Sequence, residues 1–127
     1  MKKGLILLFS IGILFSSCTK KPPIEGLNTE VFKSDRGACK GLRKQFLPWF
    51  QQHRLDWKGV SSNDIEDVLG KPDIQQLADR NQEYYIYFFE PGAHCQDPKN
   101  PTNAQSISFR FSAMGLATEV TFQKGIQ

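Results

Sequence analysis

A chain of 127 residues is long enough for one domain with a modest core and too short for two. Its formal charge of +3 includes Lys2 and Lys3 of a leader-like start, and falls to about +1 once they are removed. The basic residues do not cluster into the cationic face that a nucleic acid needs, so that class of partner is excluded.

In chain order, Lys2 and Lys3 precede an apolar run over residues 4–15, relieved only by Ser10 and glycine, and Ser16-Ser17-Cys18 follows. A basic start, a short apolar stretch and small residues make an export signal. The run is shorter than the ~20 apolar residues needed to cross the ~30 Å hydrocarbon core. A cysteine where the small residues end is the pattern of a bacterial lipoprotein signal: residues 1–17 are removed and the thiol of Cys18 carries lipid. Phe15 and Ser17 stand where leucine and alanine or glycine are usual, and simple secretion or an uncleaved anchor are the competing readings. Lipid on Cys18 would hold the protein to a membrane, facing the periplasm, without crossing it. Several acyl chains at ~0.8 kcal/mol per buried methylene hold far better than one myristoyl chain. Thr19, in place of aspartate, is compatible with onward transport to the outer membrane.

With Cys18 used for lipid, Cys39 and Cys95 remain. An even pair in an oxidising compartment reads as a structural disulfide, contributing about 4 kcal/mol in the chain-entropy model. The alternatives are two unrelated thiols, or Cys95 as a nucleophile beside His94. A zinc site lacks the second close-spaced Cys/His pair that four ligands need. No metal and no other cofactor is expected.

Residues 18–34 read as a flexible lipidated tether. Lys20-Lys21-Pro22-Pro23 is basic and stiff, and Gly26 and Asn28 follow without apolar periodicity. The two lysines suit anionic headgroups. The folded domain is expected over residues 35–127. Its first helix starts at Ser34 or Asp35 and aligns Ala38, Cys39, Leu42, Phe46 and Trp49 opposite Arg36, Lys40, Arg43 and Lys44. Gly37 and Gly41 weaken it, and Pro48 either kinks it or opens a second short helix. The next helix is better written. Ser61 is its N-cap, Val60 and Ile65 its hydrophobic staple, and Ile65, Val68 and Leu69 its buried stripe. Asp64, Glu66 and Asp67 sit toward the positive dipole end, which accounts for them without a metal. Gly70 supplies the left-handed exit and Pro72 the stop.

The remainder reads as strand. Tyr84-Tyr85-Ile86-Tyr87-Phe88-Phe89 is almost wholly aromatic or β-branched. A polar loop over residues 90–103 follows, with prolines at 91, 98 and 101; its length makes it an exposed segment pinned by Cys95 and a candidate contact surface. Ile107, Phe109 and Phe111 alternate with Ser106, Ser108, Arg110 and Ser112. Across a turn at Ala113-Met114-Gly115, Thr118, Val120 and Phe122 answer them. Two helices covering the apolar face of a three-stranded antiparallel sheet give a two-layer α+β domain in the order ααβββ.

The block Val60-Ser61-Ser62-Asn63-Asp64-Ile65-Glu66-Asp67-Val68-Leu69-Gly70-Lys71-Pro72-Asp73, the aromatic strand after it, and Phe109-x-Phe111-x-x-x-Gly115-x-x-x-x-Val120 together resemble the SmpA/OmlA group, which includes the BamE-like lipoproteins of outer-membrane assembly. The resemblance covers residues 35–122, and its sharpest part is Leu69-Gly70-Lys71-Pro72. It implies a lipidated cysteine, a flexible tether, two helices on a three-stranded sheet, and work done by contact with another envelope protein. The Cys39/Cys95 pair and the proline-rich loop depart from that pattern. Only Cys18 carries over, as the lipid-bearing residue.

An enzyme is not expected. His53 and His94 are the two neutral-pH proton shuttles in the chain, and no nucleophile elbow, metal-binding H-E-x-x-H or phosphate-binding loop accompanies them. A non-catalytic interaction or scaffold module is the better class, in outer-membrane assembly or maintenance. An inhibitor-like or small-ligand- or lipid-binding lipoprotein is the alternative. Successive strand residues point to opposite faces, so Tyr84, Tyr85 and Tyr87 are the candidate interaction surface.

Overall fold

The computed structural model describes residues 20–125, together with Gly4 and Gly12. Cys18 and, apart from those two glycines, the leader expected over residues 1–17 lie outside the described residues. Three short helices, α1 (Thr29–Ser34), α2 (Leu47–Gln52) and α3 (Ser62–Leu69), share one core with a sheet of four strands. The strands β1 (Ile74–Leu77), β2 (Glu83–Phe88), β3 (Gln105–Phe111) and β4 (Ala117–Lys124) lie in sequence order and pair antiparallel throughout. The α+β architecture is as expected, but the sheet has four strands in place of three and carries three helices in place of two.

The core follows from the pleat. Tyr85 and Tyr87 of β2, and Phe89 just past its end, point toward the helices and meet Phe32 of α1, Phe50 of α2 and Ile65 and Leu69 of α3. On β3 and β4 the same face offers Ile107, Phe109, Phe111 and Val120. The rings meet mostly edge to face: Trp57 lies 5.4 Å from Phe109 and Tyr85 4.7 Å from Phe111 between centroids, the arrangement favoured by the aromatic quadrupole. The buried Trp57 indole N–H has no acceptor within reach among the described residues.

The helix expected from Ser34 onward is interrupted. Gly37 adopts φ +75° within a tight turn over Arg36–Ala38, a left-handed conformation that ends any helical run. Helical order returns with the turn Lys44–Phe46 and α2, where Pro48 sits in the first turn as a helix start. The apolar stripe across residues 38–49 therefore never forms one face. Arg43, expected on its solvated side, is instead only 1% exposed.

The tether expected over residues 18–34 is largely part of the domain. Lys20 pairs with Val60 in an isolated parallel bridge. Leu27 and Phe32 are buried in the main core, and the Asn28 side chain accepts from the Val31 N–H at 3.2 Å to cap α1. A helix of six residues with one of them buried is too short to show a period.

Helix α3 is built as written. The Asp64 N–H donates to Ser61 Oγ at 3.1 Å, and Gly70 exits at φ +83°. In β1, the Ile-Gln-Gln-Leu sequence puts its two apolar residues three apart, so no alternation announced a strand. A bulge corrects the hairpin register: Arg110 pairs with Glu119 but Phe111 with Ala117, leaving Thr118 as the extra residue. Ala117 thus joins Val120 on the core face in the place foreseen for Thr118, and the Thr118 hydroxyl donates to the Arg110 carbonyl at 3.2 Å.

Candidate functional site

Strand β2 divides the candidate tyrosines between two faces. Tyr85 and Tyr87 are 6% and 0% exposed and lie under the helices, which removes them from any contact surface. The pleat puts them on the face that α1 and α3 cover. The Tyr87 hydroxyl donates to the Gly70 carbonyl at 2.8 Å, tying the sheet to the end of α3. Burial raises the pKa of both phenols above their ordinary 10.0.

Tyr84 points the other way, half-exposed on the outer face. The register sets it beside Gln76 on β1 and Arg110 on β3, and the Arg110 guanidinium carbon stands 5.7 Å from its ring centroid. Arg110 is braced by the Gln82 side-chain oxygen, to which its Nε donates at 2.8 Å, and by Glu119 at 3.7 Å. Tyr84 and Gln76, with Ile86, Ser108, Glu119 and Thr121, line an open groove of about 380 Å³ across β1–β4. The groove mixes an aromatic ring, an aliphatic floor, hydroxyls, an amide and a carboxylate. Such a surface suits contact with a polypeptide.

The far end of the same face is covered. Cys39 and Cys95 are joined in a disulfide, as expected, with Cα atoms 5.8 Å apart. It clips the loop after Arg36–Ala38 to the turn Ala93–Cys95. Beneath it, His94 stacks on Phe88 with ring centroids 3.7 Å apart, and Ala38, Phe88 and Ala104 form a second small core. His94 is buried, with Nε2 2.7 Å from the Gly37 carbonyl oxygen and Nδ1 3.2 Å from Thr102 Oγ1. A carbonyl can only accept, so Nε2 carries a proton and donates to it.

The sulfur atoms of Cys39 and Cys95 and a ring nitrogen of His94 lie within 4.8 Å of one another, but the two sulfurs are bonded to each other and neither is a thiolate. That bond also rules out the Cys95–His94 nucleophile in this structure.

A buried ion pair underlies the clip. Arg43 and Asp73 meet at 2.7 Å with side chains 1% and 4% exposed. Asp73 also accepts from the Gly37 N–H and the Phe88 N–H, both at 2.8 Å. Arg43 donates Nε to the Phe32 carbonyl at 2.9 Å and packs its guanidinium 4.2 Å from the Phe32 ring centroid. Burial pulls the Arg43 pKa down while Asp73 opposes that shift. Asp35 accepts from the Lys40 and Leu42 N–H groups, each at 2.7 Å, closing the loop that delivers Arg43.

Neither Arg43 nor Asp73 was singled out from the sequence. An acid directly after the Gly70-Lys71-Pro72 helix exit was the one available hint, since a carboxylate there can reach the freed backbone of a neighbouring loop. His53 lies apart, stacked on Trp49 at 4.4 Å and bonded to Asp56 at 2.9 Å. No family model, curated protein or solved structure matches this chain.

Proposed function

We propose that this chain is a bacterial envelope lipoprotein, acylated at Cys18 and working as a non-catalytic protein-interaction module of the BamE-like kind. The observation that carries the reading is the outer face of the sheet around Tyr84, an ordered groove of mixed chemistry on the side of β2 opposite the core residues Tyr85 and Tyr87. The buried ionisable side chains Asp35, Arg43, Asp73 and His94 are committed to backbone and to one another, which favours a scaffold over a reaction centre. The space between helices and sheet is occupied by Phe32, Phe50, Trp57, Tyr87 and Phe109. That filling weighs against the alternative of a lipid held between the layers.

Two measurements test this. Intact mass of the natively exported protein should begin at Cys18 with acyl mass; a different start without acyl mass overturns the lipoprotein assignment. A photo-crosslinker in place of Tyr84 or Thr121, both on the groove, should capture one envelope protein. The substitution Gln76→Arg at the half-exposed groove wall should abolish that capture with little change in the acylated protein's melting temperature. Capture that survives Gln76→Arg rules out this face as the contact.

A further inference from the structure

Among the described residues the two most exposed large apolar side chains are Leu77 at 86% and Met114 at 87%, and the topology places both at one end of the sheet. Leu77, Glu83, Phe111 and Ala117 form one register row across all four strands. With strands ~4.8 Å apart the row is about 14 Å wide. Just beyond it lie both hairpin turns, over residues 78–82 and 112–116. Met114 occupies the tip of the second, closed by the Gly115 N–H donating to the Ser112 carbonyl at 2.8 Å.

The N-terminal segment arrives at this same end. Lys20 bridges Val60, and Ser61 bridges Leu116. Around them the Gly59 N–H donates to the Ala117 carbonyl at 2.7 Å and the Ser62 N–H to the Gly115 carbonyl at 2.8 Å. Cys18 precedes Lys20 by two residues, and two residues span at most ~7 Å. A lipid on Cys18 cannot therefore be far from the turn that carries Met114. Lys20, Lys21, Lys58 and Arg80 are exposed in this region, and the acids nearest them in sequence are Glu25, the His53-paired Asp56, Asp79 and the Gln75-bonded Glu83.

We infer that this end of the domain is seated on an anionic lipid headgroup surface, with Leu77 and Met114 entering the interface. The inference rests on the acylation of Cys18 proposed above. It replaces a domain held at the end of a long tether by one docked in a single orientation. Apolar side chains at the headgroup boundary and lysines above it are the two parts of interfacial binding. Along β4, Lys124 is seven residues from Ala117, a rise of about 24 Å. The disulfide-clipped end thus stands away from the bilayer, and the groove around Tyr84 runs between the two ends, open to a periplasmic partner.

The test uses the mature acylated protein in vesicles of phosphatidylcholine and phosphatidylglycerol that contain nitroxide-labelled lipid. A bimane fluorophore is attached at Met114→Cys, Leu77→Cys or Lys124→Cys, all exposed positions. Intact mass is checked first. Quenching at Met114→Cys and Leu77→Cys is expected to be several-fold stronger than at Lys124→Cys, and the difference should shrink when phosphatidylglycerol is omitted.

Equal quenching at the three positions, or the strongest at Lys124→Cys, on protein that carries its acyl mass overturns the seating and leaves the lipoprotein assignment standing. A difference indifferent to phosphatidylglycerol overturns the anionic part of the proposal. Signals at Met114→Cys that follow protein density without nitroxide assign the end to a second copy, and also overturn it. Protein without acyl mass defeats the underlying assignment and the seating together.

Discussion

Asp73 illustrates how one side chain can organise a surface. Its carboxylate holds the Gly37 N–H, the Phe88 N–H and the Arg43 guanidinium at once, so it joins the first loop, β2 and the buried cation. Asp73→Asn would leave Arg43 charged and unpaired inside, and should destabilise the protein by about 3–5 kcal/mol in urea unfolding. Arg43→Met should cost less, because Asp73 keeps its two N–H donors. Equal losses would show that the charge pair is not what Asp73 supplies. Ser61→Ala removes the α3 cap and should cost about 1 kcal/mol in the same assay.

Tyr87 gives a pH dependence. Burial raises its pKa above 10.0, so the native state keeps a proton that the unfolded chain releases. Stability should be constant in this respect below pH 10.0, the ordinary phenol value, and fall as pH rises above it. Tyr87→Phe should flatten that fall, at the expense of the bond to the Gly70 carbonyl at all pH values. An unaltered alkaline limb in the variant's urea midpoints would count against the assignment. At this scale the sequence was partly legible: Ser61, Gly70 and the Cys39/Cys95 pair announced their roles, while Arg43 looked like one of four surface cations. A cation's burial depends on a partner thirty residues away, which local pattern does not carry.

The elements differ in how much of themselves they specify. Helix α3 has a cap, a staple, a stripe and a glycine exit, all local and mutually consistent, and it forms where the pattern says. Strands β2, β3 and β4 have alternation or aromatic density long enough to read. Strand β1 has four residues and helix α1 six, and each exists because a neighbour completes it: β2 supplies the ladder, and the Phe32 pocket supplies the burial.

The disulfide acts at this scale too. Cys39 and Cys95 are 56 residues apart, and closing such a loop contributes about 4 kcal/mol in the chain-entropy model. Cys39→Ser with Cys95→Ser should lower stability by roughly that amount and keep the far-ultraviolet circular dichroism of the sheet. Amide exchange should rise first over residues 36–42 and 92–104, ahead of β2 and β3. Uniform exchange across the molecule would mean that the clip and the sheet unfold as one unit.

At the scale of the molecule, the two layers leave one sheet face and one end of the sheet uncovered by helix among the described residues, and the proposals above place a protein partner on the first and a lipid surface against the second. Local sequence pattern by itself determined a greasy hairpin, a capped helix and one cysteine pair, and it is the sole ground for expecting export and an anchor at Cys18. Those properties are written in short windows of residues. Only the tertiary structure decided which tyrosines meet water, because a strand's two faces are equivalent until helices cover one of them. It also drew the segment from Lys20 to Ser34 into the domain, through a bridge to Val60 and a pocket for Phe32. Both outcomes depend on contacts between residues far apart in the chain, and such contacts leave no period in the sequence to read.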